Sequence, residues 1–132
     1  MKVVADSHAI VWYIAGSDRL SDRAAKTLRE AEEKDGLVVS VATLVDLWYV
    51  TQTTRAVTTN DLDRLRRAID SASTVTTEPI DARIADACTA IPRTVLTDPW
   101  DRFIVATAKV LQLPLVTRDG PIQKSKLVLT IW

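Results

Sequence analysis

Only three glycines occur in the 132 residues, Gly16, Gly36 and Gly120, and they stand far apart. Neither a dinucleotide-binding fingerprint nor a P-loop can be written with them, because both need clustered glycines where the backbone cradles phosphate. A single cysteine, Cys88, excludes an internal disulfide and makes a reducing cytosol the expected compartment. One cysteine and one histidine, His8, fall short of the four ligands of a structural zinc site. Asp6, Ser7 and His8 are the residue types of a hydrolytic triad, but sequence neighbours rarely assemble one in space, and no nucleophile elbow is present. No apolar run approaches a membrane span, and Asp6 and His8 interrupt the first apolar stretch too early for a secretory signal. A basic excess is missing too, since 17 Lys and Arg balance 17 Asp and Glu. A bound divalent cation would make its site locally more positive, so the net charge does not decide against a phosphate ligand.

What is present is a series of short apolar segments separated by helical ones. Residues 2–6 predict a buried strand, and residues 8–15 an apolar helix ending at Ser17-Asp18. Ser21 predicts the cap of a helix reaching about Lys34, before Asp35-Gly36. Leu37–Ser40 predicts a second strand, followed by a helix over roughly residues 42–53. Thr59 or Asn60 is the expected cap of a helix through Leu62, Leu65 and Ile69. Thr74–Thr77 is strand-like, and Asp81 caps a helix that stops before Pro92. Asp98-Pro99 is a strong helix start, an acceptor followed by proline at the first helical position, for a helix to about Leu111. Leu115–Thr117 and Leu127–Leu129 complete the strands. The pattern implies an α/β fold: one domain over residues 1–132, with a mostly parallel sheet of four to five short strands and helices on both faces. In such sheets ligands bind beyond the carboxyl ends of the strands.

Carboxylates stand at those ends. Asp6 closes the first strand, Asp46 interrupts an apolar helix, Asp98 and Asp101 open another, and Asp119 follows Leu115-Val116-Thr117-Arg118. An ionised carboxylate in an apolar setting must be paired, protonated or bound to a cation. Each also has a plainer explanation. Asp6 could cap the following helix, although Ser7 would serve equally. Asp46 could be a buried carboxylate bonded to Ser40 or Thr43. Asp98 is accounted for as an N-cap, Asp101 as part of a capping box, and Asp119 as a turn residue before Gly120-Pro121. Trp12, Trp48 and Trp100 suit a core or a dimer interface better than a base-stacking platform. Arg102 and Arg118 adjoin carboxylates that they could pair with, or they could contact a phosphate. Taken together, four carboxylate positions gathered by one sheet point to hard-cation chemistry and a Mg²⁺- or Mn²⁺-dependent phosphodiesterase.

Val3-Val4-Ala5-Asp6-Ser7, the acidic residue in Ser40–Leu47, Asp98-Pro99-Trp100-Asp101-Arg102-Phe103 and Leu115-Val116-Thr117-Arg118-Asp119 resemble the motifs of the PIN-domain ribonucleases. Within that family the resemblance is to the VapC-type toxins of bacterial toxin–antitoxin modules, and it runs the length of the chain. It implies a cytoplasmic Mg²⁺-dependent endoribonuclease, Mn²⁺ substituting, usually a homodimer, that cuts cellular RNA with metal-activated water to leave a 5′ phosphate. A cognate antitoxin protein would inhibit it. Matching motif by motif, Asp6, Asp46, Asp101 and Asp119 take the four catalytic positions. Asp6, Asp101 and Asp119 are the expected metal ligands, and Ser7, Asp98, Arg102 and Thr117 are ancillary. One departure is Asp46, where the family usually has Glu; losing a methylene draws the carboxylate back by about 1.3 to 1.5 Å.

Two rivals stand beside that expectation. An aspartyl-phosphate phosphatase typically wants a second Asp two residues after the first, where this chain has His8. A non-catalytic relative that binds RNA or protein would follow from a metal site weakened at Asp46.

Overall fold

In the computed structural model, which describes residues 1–132, strand β1 (Val3–Ala5) is the centre of a five-stranded sheet. Its three residues are fully buried. Strands β2 (Leu37–Ser40) and β3 (Val75–Glu78) extend the sheet on one side, and β4 (Leu115–Val116) and β5 (Thr130–Ile131) on the other. The spatial order is β3-β2-β1-β4-β5, and every pairing is parallel. Register places Ala5 beside both Val39 and Val116, so β1, β2 and β4 end within one residue of each other.

Seven α-helices connect the strands: α1 (Ser7–Ala15), α2 (Asp22–Glu30), α3 (Val41–Thr53), α4 (Thr59–Ser71), α5 (Ala82–Ala90), α6 (Pro99–Leu111) and α7 (Gly120–Ser125). None is long and apolar enough to cross a membrane. Strand periodicity sorts the core into two layers. Val3, Ala5, Leu37, Val39 and Val116 pack with Ile10 of α1, Leu28 of α2, Leu47 of α3 and Leu65 of α4. Val4, Val38 and Leu115 face the other way, against Ile104 and Val105 of α6 and Ile122 of α7. The chain runs outward from β1 to β2 and β3, then returns to β4 on the opposite side of β1. The switch point therefore lies between the carboxyl ends of β1 and β4, where a crevice is left open.

Several boundaries differ from those expected. The helix expected to reach Lys34 gives way after Glu30 to a π-helical turn, Ala31–Asp35, closed by the Gly36 amide on the Ala31 carbonyl at 2.7 Å. Thr58, not Thr59 or Asn60, caps α4, through a capping box with Asp61 at 3.2 and 2.9 Å. The last strand is Thr130–Ile131 instead of Leu127–Leu129. The α7 helix runs to Ser125 with Lys126 as its C-cap, and only 130 and 131 come into register with Leu115 and Val116. Asp119 heads that helix and is not a simple turn residue: its carboxylate accepts from the Ile122 amide at 2.9 Å.

Arg102 neither pairs with a carboxylate nor reaches the crevice. Successive helical residues point about 100° apart, so with Asp101 facing the crevice, Arg102 faces the end of α5. Its guanidinium donates to the carbonyls of Cys88 (2.9 Å), Ile91 (2.7 Å) and Leu96 (2.7 Å), with a longer contact to Pro92 at 3.4 Å. One cation thus closes the open carbonyl end of α5 and the loop that carries the chain to α6. Arg102→Met keeps the stem and removes every donor. It is expected to destabilise the fold by about 2 to 3 kcal/mol, the scale of hydrogen bonds to a charged group. Thermal unfolding of the variant checks this, and an unchanged melting temperature would contradict it.

Candidate functional site

The crevice is a pocket of about 400 Å³ lined by Asp6, His8, Trp12, Asp46, Asp98, Asp101, Arg118 and Asp119. Every acidic residue proposed for the site from the sequence is brought here, from four separate places in the chain.

Asp6 is placed by β1 and is almost fully buried. Its Oδ1 accepts from the Ser7 amide at 2.7 Å, making it the N-cap of α1, and its Oδ2 accepts from the Thr117 hydroxyl at 2.6 Å. Thr117 Oγ1 in turn accepts from the Asp119 amide at 3.0 Å. The ends of β1 and β4 are therefore tied by a relay from backbone amide to hydroxyl to carboxylate. Burial pushes the Asp6 carboxyl above its ordinary value, and the bonds from Thr117 and Ser7 oppose that rise.

Asp46 reaches the pocket from α3. Neither expected partner holds it: Ser40 caps α3, accepting from the Ala42 amide at 3.1 Å, and Thr43 is met by the Ser7 hydroxyl at 3.4 Å. Burial raises the Asp46 carboxyl, the neighbouring Ser7 hydroxyl lowers it, and the charge of Asp98 raises it again. Asp98 is exposed and caps α6, one oxygen accepting from the amides of Trp100 (2.9 Å) and Asp101 (3.1 Å). Asp119 combines a cap with a place in the pocket in the same way, at the start of α7.

Asp101 is the outlier. Its side chain has no hydrogen bond or ion pair, and its pKa is pushed up to about 8. Burial is the first cause, followed by the charges of Asp6, Asp98, Asp119 and Asp46. None of the ion pairs in the protein includes a pocket carboxylate.

This donor set fits a hard divalent cation. All five carboxylates supply oxygen, they repel one another, and Asp101 has no partner within the protein. No three of them already converge as a ready-made chelate, so binding would draw them together.

Two lining residues, His8 and Trp12, were not anticipated there, and Arg118, expected beside a carboxylate, joins them. His8 and Trp12 lie one turn apart on α1, with rings 5.5 Å apart, and the Arg118 guanidinium sits over the Trp12 ring at 5.8 Å from its centroid. The available signal was the helix itself. A helix capped by Asp6 must turn one stripe toward that carboxylate, and positions 8 and 12 share a stripe.

The Asp101 shift has a definite consequence for stability. Unfolded, the carboxyl ionises near 3.8; folded and metal-free, near 8. Between those values the unfolded state holds fewer protons, so raising the pH favours unfolding. The stability that Asp101 leaves intact below about pH 4 falls as pH rises and levels off above 8. Asp101→Asn removes this dependence, so chelator-treated variant protein should gain on the unaltered protein as pH rises from 4 to 8. Denaturant titrations across that range measure the difference; a constant gap would contradict the shift.

Comparison with known proteins accords with this geometry. The family described as "PIN domain" matches residues 3–125. Ribonuclease VapC22 of Mycobacterium tuberculosis is 29% identical over 133 aligned positions, which cover 98% of each chain. VapBC2 from Rickettsia felis, solved with a DNA fragment from its promoter, superposes with a TM-score of 0.71 at 15% identity, covering 98% of this chain and 97% of that one. A toxin–antitoxin complex from Klebsiella pneumoniae gives a TM-score of 0.67 at 20% identity, covering 97% and 96%. By family match, strand order and length, the chain belongs to the PIN-domain family, and within it the similarity is to VapC-type proteins.

Proposed function

We propose that this protein is a Mg²⁺-dependent endoribonuclease acting as the toxin of a toxin–antitoxin module in the cytoplasm. One observation carries the reading: five carboxylates share the pocket at the switch point and none has a cation partner within the protein. The PIN-domain match and the similarity to a protein named ribonuclease VapC22 supply the reaction class.

Asp6, Asp101 and Asp119 would hold Mg²⁺, or Mn²⁺ in its place. When bound, such an ion lowers the pKa of water and neutralises charge on a phosphodiester and its leaving oxygen. The residues of the chain supply the rest. Thr117 and the Ser7 amide fix both oxygens of Asp6, so that ligand is held before the ion arrives. Asp46, shorter by one methylene than Glu, would act from α3 on the position of the ion through the outer side of its shell. Asp101 would give up its proton on ion binding and so couple occupancy to pH. Asp98 chiefly builds the amino end of α6, where Asp101 stands.

Partners follow from surface that the fold leaves uncovered. Val45, Trp48 and Tyr49 of α3 are exposed, the two aromatic rings 5.0 Å apart, with Trp100 5.8 Å from Tyr49. That apolar face suits a second copy of the chain and the apolar stripe of an inhibitory antitoxin. A basic side chain from the antitoxin could occupy the carboxylate pocket.

Purified protein with cellular RNA and millimolar Mg²⁺ tests the division of labour. Asp101→Asn keeps shape and removes charge, so cleavage should fall by about a hundredfold or more, on the scale of losing a group essential to metal catalysis. Asp98→Asn should keep cleavage within a few-fold, because Asn caps about as well as Asp. Equal losses would contradict the assigned roles. Expression without the partner should arrest growth, with relief by a co-encoded partner; intact RNA and normal growth would favour the non-catalytic alternative, a PIN-like module that binds RNA or protein through a weakened metal site.

A further inference from the structure

We propose that Arg118, laid on the face of Trp12, grips a backbone phosphate of the RNA strand beside the carboxylate pocket. The inference rests on the ribonuclease reading and assigns a substrate contact to a residue outside the carboxylate set.

Arg118 is the only Lys or Arg side chain lining the pocket, where it faces five carboxylates. It nevertheless forms no ion pair and no side-chain hydrogen bond; its guanidinium lies over the Trp12 ring instead. The adjacent Asp119 does not draw it away, although only one oxygen of that carboxylate is committed to the Ile122 amide. Trp12 is itself braced, with the His8 ring at 5.5 Å and the Trp132 ring at 6.0 Å in a T-shaped arrangement, and its side chain packs against the main core. The platform is therefore fixed while the cation on it is exposed.

Held over the ring at 5.8 Å, the guanidinium keeps its N–H donors free of protein acceptors, and those donors match two oxygens of a phosphate. An internal counter-ion would be found on a carboxylate. A cation parked on a ring, at the rim of a pocket that repels anions, is placed to receive an incoming polyanion. The chain has no net basic excess to share that task, so loss of this one contact should register clearly in binding.

A short single-stranded oligoribonucleotide bound to Asp101→Asn protein in Mg²⁺, followed by fluorescence anisotropy over a range of salt, is the test. Adding Arg118→Gln should weaken binding by about tenfold or more, the effect of losing a charge-assisted hydrogen bond. The slope of log affinity against log salt should become shallower by about 0.7, the value for one phosphate on a single strand. Arg118→Lys should restore the slope and only part of the affinity. Trp12→Leu should reproduce much of the loss, and the double variant should add little to it. In cleavage by protein with Asp101 intact, Arg118→Gln should raise KM more than it lowers kcat. Arg118 is exposed, so its variants do not depend on repacking the core, and Arg118→Gln is decisive by itself if Trp12→Leu fails to fold. Unchanged affinity and slope in Arg118→Gln, with RNA still cut when Asp101 is intact, would overturn the proposal and leave the ribonuclease reading standing. Protein that neither binds nor cuts RNA in Mg²⁺ or Mn²⁺ would remove that reading, and the proposal with it.

Discussion

Crowding of negative charge between β1 and β4 is the constraint around which this structure is arranged. Asp6, Asp46, Asp98, Asp101 and Asp119 come together where water is partly excluded, and no Lys or Arg pairs with them. The fold tolerates this largely through backbone amides. Asp6, Asp98 and Asp119 are the N-caps of α1, α6 and α7, so each places its charge at the positive end of a helix. Asp46 has the Ser7 hydroxyl beside it. Asp101 receives nothing, and burial together with the charges around it leaves a carboxyl that holds its proton to about pH 8.

The same arrangement explains why the core is built as it is. Parallel strands that end within one residue of each other put three chain segments at one edge, and the fully buried Val3, Val4 and Ala5 hold the central one in place. The Asp119 amide, Thr117 hydroxyl and Asp6 carboxylate then lock β4 to β1 across the switch point. Away from the pocket, Arg102 fixes the loop before α6 and thereby the start of the helix that carries Asp101. Stability and site geometry are thus carried by some of the same bonds.

Much of this was legible in the sequence because it depends on local chemistry. Short apolar strands, the Asp98-Pro99 helix start and the strand-end carboxylates each have a one-dimensional signature. Capping and function stood as alternatives for Asp6 and Asp98, and a turn and function for Asp119, whereas a carboxylate can cap a helix and line a pocket at once. Asp119-Gly120-Pro121 is a helix start of the same kind as Asp98-Pro99, and missing it displaced the last strand. The direction of Arg102 was not legible, since it depends on which face of α6 meets α5. The His8, Trp12 and Arg118 wall also needed the tertiary structure, because Arg118 meets Trp12 only when β4 lies beside β1.

The central claim is that the carboxylate pocket is an incomplete assembly that a hard cation completes. Calorimetric titration of Mg²⁺ or Mn²⁺ at pH 7, repeated in buffers of different ionisation enthalpy, tests it most directly. Because Asp101 is largely protonated at that pH and must ionise to serve as a ligand, binding should release about one proton per ion, and Asp101→Asn should abolish the release. Absence of binding by either ion, or binding with no proton released, would contradict the account.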